Sequence, residues 1–227
     1  VYKRQASGDV ACMSCHVEAP QGHGVYVIDS VDLWLDNLSI ADIDPTLPAM
    51  FVDNGGLTLG TQGGRFNLMN ANIDHESLTQ PALYIEQAAG NIDGLTLLGN
   101  HSGIYWDADH NGNFPSTLSN TEFVGTECLK LVNHPDLSGY GNTIGTDCTG
   151  RVWIENSDVN FSNFADASGT HVLDLDASSA MHLHQPHQSK LFQKKAQPYY
   201  MLFQVLLLSQ VILLHLFCVL PIFLLFL

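Results

Sequence analysis

Residues 83–107, LYIEQAAGNIDGLTLLGNHSGIYWD, decide the fold. Leu83-Tyr84-Ile85-Glu86 alternates apolar and outward-suited residues over four positions, which is the period of a strand and too short for a helix. Ile104-Tyr105-Trp106-Asp107 repeats the pattern 21 residues later. A hairpin partner would follow within a few residues, whereas this spacing is that of one coil of a solenoid. Between the two lies Ile92-Asp93-Gly94, and Gly suits a tight corner because it takes the left-handed backbone without a Cβ penalty.

Working outward, the strand signature recurs at Val25-Tyr26-Val27-Ile28, Met50-Phe51-Val52-Asp53, Leu129-Lys130-Leu131-Val132 and Val152-Trp153-Ile154-Glu155, and more weakly at Leu173-Asp174-Leu175-Asp176. From residue 25 to residue 173 the starts are 25, 33, 21, 25, 23 and 21 apart. The 33 predicts an inserted loop, placed at Gly60, Gly63 and Gly64. A second signature, apolar then Asn or Gly then apolar, matches Leu35-Asn37-Ile40, Leu68-Asn70-Ile73, Ile92-Gly94-Leu97, Leu118-Asn120-Phe123 and Ile154-Asn156-Val159. Each is read as a corner, with Asn side chains bonding from rung to rung.

Together the two signatures resemble the right-handed parallel β-helix proteins, the architecture of pectate lyases, polygalacturonases and many surface adhesins. The expected fold is all-β, a right-handed parallel β-helix of about six to seven coils, strongest between Gly24 and Asp176 and bounded at 6–180. The resemblance speaks to fold far more than to function.

Alternation sends strand positions one and three inward and positions two and four outward. Position two then forms an aromatic ladder, Tyr26, Phe51, Tyr84, Tyr105, Lys130 and Trp153; position four forms a ladder that includes Asp53, Glu86, Asp107 and Glu155. Tyr26, Phe51, Tyr84, Tyr105 and Trp153 are candidate glycan contacts, because sugar rings stack on aromatic faces; the alternative is that the rings stack on one another or lie under a loop or a neighbouring domain. Carboxylates on successive rungs repel, so Asp53, Glu86 and Asp107 call for a bound cation, a protonated carboxyl, or full solvation. If the chain is an enzyme, the resemblance implies a polysaccharide lyase or glycoside hydrolase working on this outer face. Lys130 would then be the proton acceptor, and Asp53, Glu86 and Asp107 would hold calcium or act as acid. Three basic residues in the acidic body are few for an anionic substrate.

Asp107-Ala-Asp109-His-Asn111-Gly112-Asn113 matches the opening of a calcium loop, with Asp107, Asp109, Asn111 and Asn113 as metal candidates. Its twelfth position is Leu118 rather than Glu, so any ion would need a carboxylate from elsewhere, such as Glu122 or Glu86. An ordinary Asn-Gly turn explains the same residues. Cys128 and Cys148, almost one coil apart, are expected to form a disulfide, which would suit an oxidising compartment. Cys12-Met-Ser-Cys15-His16 matches the c-type haem attachment motif; seven residues before the repeats are too few for a cytochrome fold, so a local disulfide or a pair of thiols is preferred to haem.

All 23 acidic residues lie between Asp9 and Asp176 against only Arg65, Lys130 and Arg151, a net −20, while the ends are basic. Such a body repels phosphate backbones, so nucleic acid is excluded as an expected partner; calcium, a salty medium or a polysaccharide or cell-surface glycan fits better. No signal pattern precedes the repeats, so the chain reads as a fragment of a longer protein. VYKRQ, 1–5, looks like a translated sequencing adapter and is set apart as a non-native leader. Residues 181–200 read as a basic, His-rich linker. The segment 201–227 lacks Asp, Glu, Lys and Arg and is long enough to span a bilayer, yet the basic residues sit on its outer side. A membrane anchor and a tail translated after frame loss both stand. The expectation is a non-catalytic extracellular or cell-surface module, structural or adhesive, with glycan contact along the aromatic ladder.

Overall fold

The computed structural model describes residues 2–5, 9–18, 21–30, 32–41, 43–54, 65–108, 115–167 and 173–184. Their strands stack in parallel on three faces, and no helix occurs among them. The first face holds β1 (Tyr2–Gln5), β4 (Val25–Ile28), β7 (Met50–Asp53), β10 (Leu83–Glu86), β13 (Ile104–Asp107), β16 (Leu129–Val132), β19 (Val152–Glu155) and β22 (Leu173–Leu175). The second holds β2 (Asp9–Met13), β5 (Asp32–Asp36), β8 (Arg65–Met69), β11 (Ala89–Asp93), β14 (Ser116–Ser119), β17 (Leu137–Tyr140), β20 (Asp158–Ser162) and β23 (Ala180–His184). The third is split into β3 (His16–Glu18), β6 (Ser39–Ala41), β9 (Asn72–Asp74) and β12 (Thr96–Leu98), then β15 (Glu122–Gly125), β18 (Thr143–Cys148) and β21 (Ala165–Asp166). The protein is a parallel β-solenoid, as its repeats predict.

Register is kept residue for residue along the first face. Tyr26 pairs with Phe51, Phe51 with Tyr84, Tyr84 with Tyr105, Tyr105 with Lys130 and Lys130 with Trp153. Positions one and three are buried in every coil from β4 to β19, so Met50, Leu83, Ile85, Trp106, Leu131 and Ile154 face Phe66, Leu68, Ile92, Leu118 and Phe161 from the second face. Full burial of each such side chain contributes about 1.5–3 kcal/mol, and a one-residue slip of any coil would expose its whole set. Trp106, the largest of them, satisfies its indole by donating Nε1–H to the Ala88 carbonyl at 2.8 Å.

Corners explain the Asn signal and correct part of it. Ser14, Asn37, Asn70, Gly94, Asn120, Gly141 and Asn163 all have left-handed φ, and each follows a strand of the second face. Asn156 does not belong to this series. With Asp29, Gln87 and Asn133 it turns the chain from the first face to the second, again with φ near 50°. The motif failed to separate the two corners because both need a left-handed residue, and Asn supplies it at either. Rung-to-rung bonding holds in part: Asn156 Nδ2 donates to Asn133 Oδ1 at 2.7 Å, whereas Asn70 and Asn120 donate to Asp36 and Asp93 of the preceding coil.

The insertion expected from the 33-residue spacing falls between β7 and β8, at the first-to-second corner; Gly60, Gly63 and Gly64 themselves lie outside the described residues. Tyr2–Gln5, set apart from the fold by sequence, pairs with Val25–Ile28. His182 and His184, read as the start of the linker, belong to β23 beside β20. Among the described residues no helix is long and apolar enough to cross a membrane; 201–227 lies outside them.

Candidate functional site

Position two of the first face builds a continuous stack. Ring centroids are 5.2 Å apart for Tyr26 and Phe51, 5.1 Å for Phe51 and Tyr84, and 4.7 Å for Tyr84 and Tyr105, with planes within 17° of parallel. The spacing follows from the strand separation of about 4.8 Å. His23 stacks on Tyr26 at 5.1 Å and bonds the Pro48 carbonyl through Nδ1. At the other end the Lys130 ammonium lies 5.3 Å from the Tyr105 centroid and 5.2 Å from that of Trp153, and the Arg151 guanidinium sits 3.8 Å from Trp153. Along the row from Tyr26 to Tyr105 the faces are therefore turned toward one another, and what the stack presents outward is mainly ring edges and hydroxyls.

Beside these edges runs a groove of about 560 Å³, floored by Tyr26, Phe51, Tyr84 and Tyr105 and walled by Leu47, Pro48, Thr79, Gln80 and Pro81, with Ser102 and Glu127 further along. The wall comes from the longer third-to-first corners, 43–49 and 75–82. Sequence reasoning missed it, although a signal was present: Thr46-Leu-Pro48-Ala49-Met50-Phe51-Val52-Asp53 and Thr79-Gln-Pro81-Ala82-Leu83-Tyr84-Ile85-Glu86 carry the same Thr-x-Pro-Ala lead into the strand. Proline fixes the approach of the wall to the ring immediately above it.

The acidic ladder also forms, since Asp53 pairs with Glu86 across β7 and β10. Its members have partners. Tyr84 Oη donates to Glu86 Oε2 at 3.1 Å, Asn133 Nδ2 donates to Asp107 Oδ1 at 3.0 Å, and Lys130 Nζ is 4.0 Å from Glu155. Burial, followed by the charge and hydrogen bond of Glu86, pushes the Tyr84 hydroxyl well above the ordinary tyrosine range; Tyr105 is raised for the same first reason, with Asp107 next.

Of the calcium set, only Asp107 lies among the described residues; Asp109, Asn111 and Asn113 lie outside them. Among the described residues no group of three His, Cys, Asp or Glu is arranged to hold a metal ion. Cys128 and Cys148 form a disulfide with Cα atoms 5.4 Å apart. The offset between them in sequence is absorbed by a register shift between Phe123 and Gly125, which brings Gly125 opposite Cys148. Cys12 and Cys15 form a second disulfide across the β2–β3 corner, and His16 beyond it is exposed, 3.4 Å from Glu18.

Three buried histidines escaped the sequence reading. His75 and His101 occupy third-to-first corners of adjacent coils, and His134 follows β16; none is more than 1% exposed. His101 Nδ1 accepts from the Gly103 amide at 2.9 Å and His134 Nε2 lies 3.2 Å from the Trp106 carbonyl, leaving one nitrogen of each without a partner, while neither nitrogen of His75 makes a hydrogen bond.

Comparison with protein-family models, with curated proteins and with solved structures returns no match. The class of the protein therefore rests on its own architecture, a parallel β-solenoid with an aromatic groove along one face.

Proposed function

We propose that the chain is a non-catalytic module of an extracellular or cell-surface protein, structural or adhesive, that contacts glycan in the groove of its first face. One observation carries this reading: four stacked aromatic side chains floor a groove whose walls and rim supply Thr79, Gln80, Ser102 and Glu127. A pyranose presents apolar faces of axial C–H groups and a rim of hydroxyls, and an apolar strip of ring edges flanked by polar side chains meets both. Because most ring faces in the row are already occupied, the saccharide chain would lie lengthwise along the edges, crossing one rung per sugar. The net −20 of the body favours a neutral glycan over an acidic one. Two disulfides suit an oxidising compartment.

Isothermal titration with neutral oligosaccharides, beginning with cellohexaose and followed by a panel of neutral and acidic polysaccharides, tests the reading. Tyr84→Ala/Tyr105→Ala should weaken binding by roughly tenfold or more. Asn67→Ala/Asn91→Ala, on the second face where the two side chains bond each other at 2.8 Å, should leave it unchanged. Absence of binding across the whole panel, or equal loss in both variants, overturns it.

A further inference from the structure

The buried histidines His75 and His101 lie in two corners that line the groove. His75 opens the 75–82 corner that carries Thr79, Gln80 and Pro81, and His101 sits in the 99–103 corner that carries Ser102. The two corners are tied: Ser77 N–H donates to the Asn100 carbonyl at 2.5 Å, Ser102 N–H to the Gln80 carbonyl at 3.0 Å, and Asn100 Nδ2 to Glu76 at 2.9 Å. His101 closes its own corner by accepting the Gly103 amide at Nδ1, a bond available only to the unprotonated nitrogen. A proton on that nitrogen removes the acceptor and leaves the Gly103 N–H facing a donor. A proton on either ring also places charge where, among the described residues, no well-aligned acceptor completes its hydrogen bonds.

We propose that His75 and His101 form an acid-operated latch on the groove wall: protonation of the pair opens the 75–82 and 99–103 corners, so the groove holds its ligand near neutral pH and releases it on acidification. This regulation rests on the reading of the groove as a contact surface; the opening itself does not.

The charged surroundings of the pair are few among the described residues. Glu76 and then Asp74 favour the protonated form of His75; the His75 ring disfavours charge on His101, and Glu76 favours it. From the 43–49 segment the titratable residue is Asp44, already bonded to Thr46, and the Leu47 carbonyl acts on His75 as an off-geometry acceptor. From the corner after β15 it is Glu127, whose amide donates to the Ser102 carbonyl. Burial outweighs these, lowering His75 and holding His101 at about 4.

Hydrogen exchange of the full chain, followed at about pH 7 and about pH 4.5 with correction for intrinsic rates, reads the latch without any ligand. Amides of 75–82 and 99–103 should lose protection by roughly tenfold or more on acidification while those of β10 and β11 keep theirs. In His75→Leu/His101→Gln, where Gln can still accept from Gly103, the loss should be much smaller. Equal loss in wild type and variant, or unchanged corner protection in the wild type, overturns the latch. If the variant fails to fold, the wild-type imidazole resonances decide: titration of either ring at or above its ordinary value of about 6.5 overturns it. Cellohexaose binding is measured separately, so an opening corner with no glycan affinity refutes the functional reading and leaves the latch standing.

Discussion

Lys130 lies between the rings of Tyr105 and Trp153, its ammonium a little over 5 Å from each centroid. It occupies a rung where an aromatic residue would continue the stack, and it does so as a half-buried cation 4.0 Å from Glu155. Each such contact is worth about 0.5–1 kcal/mol at a site of this exposure. Lys130→Ala should therefore lower stability by about 1–2 kcal/mol in urea unfolding, with Lys130→Met recovering part through packing alone. Equal stability of all three proteins would show that the cation contributes nothing to the ladder.

The Tyr84 hydroxyl bonded to Glu86 yields a prediction at high pH. Its ionisation is raised by burial and then by the Glu86 charge. As pH climbs through the ordinary tyrosine value of about 10, the unfolded chain releases a proton that folded Tyr84 retains, so stability declines above that point. In a spectrophotometric titration Tyr84 and Tyr105 should ionise above the ordinary tyrosine value of about 10. Tyr84→Phe should remove one late-titrating group and, with the bond to the charged acceptor weakened by solvent at this half-buried site, cost about 1–2 kcal/mol at neutral pH.

Much of this architecture was legible because alternation is a local signal. The inward positions of the first face, from Val25 to Ile154, are buried as their spacing predicts, and Tyr84 and Tyr105 share an outward ladder for the same reason. Corners are less legible. Asn156 and Asn120 carry the same residue in the same local motif yet turn different edges of the coil, since left-handed geometry is set locally while the identity of the edge is set by the whole coil. The histidines were the least visible: no periodicity tells which residue of an irregular segment such as 75–82 folds inward, and that depends on the loop lying over it. The groove wall was missed because a pocket arises between a strand and a corner of neighbouring coils, a juxtaposition that a scan of one strand type passes over.

The disulfide between Cys128 and Cys148 ties the third-to-first corner to the third face of the next coil, and both cysteines are buried. Closing a loop of 20 residues contributes about 3 kcal/mol, chiefly by restricting the unfolded chain. Cys128→Ala/Cys148→Ala should lower the urea midpoint accordingly without loss of strand signal in circular dichroism. A shift below about 1 kcal/mol would mean that the unfolded chain already keeps these coils together.

His134 extends the acid argument from the groove wall to the whole solenoid. Its ring meets Trp106 edge-on at 4.6 Å, and burial holds it at about 4 despite the opposing pull of the Trp106 carbonyl and of Asp107. Between about 6.5, where the unfolded chain takes up the proton, and about 4, where the folded one does, stability should fall with pH, by up to about 3 kcal/mol from this residue alone. Below the lower value the loss levels off, since both states are then protonated. His134→Gln should cost stability at neutral pH, because the amide fills less of the space against Trp106, yet should flatten the decline between neutral pH and the lower value. Urea midpoints of wild type and His134→Gln across that range measure both effects. A parallel decline in the two proteins would assign the acid sensitivity to other groups.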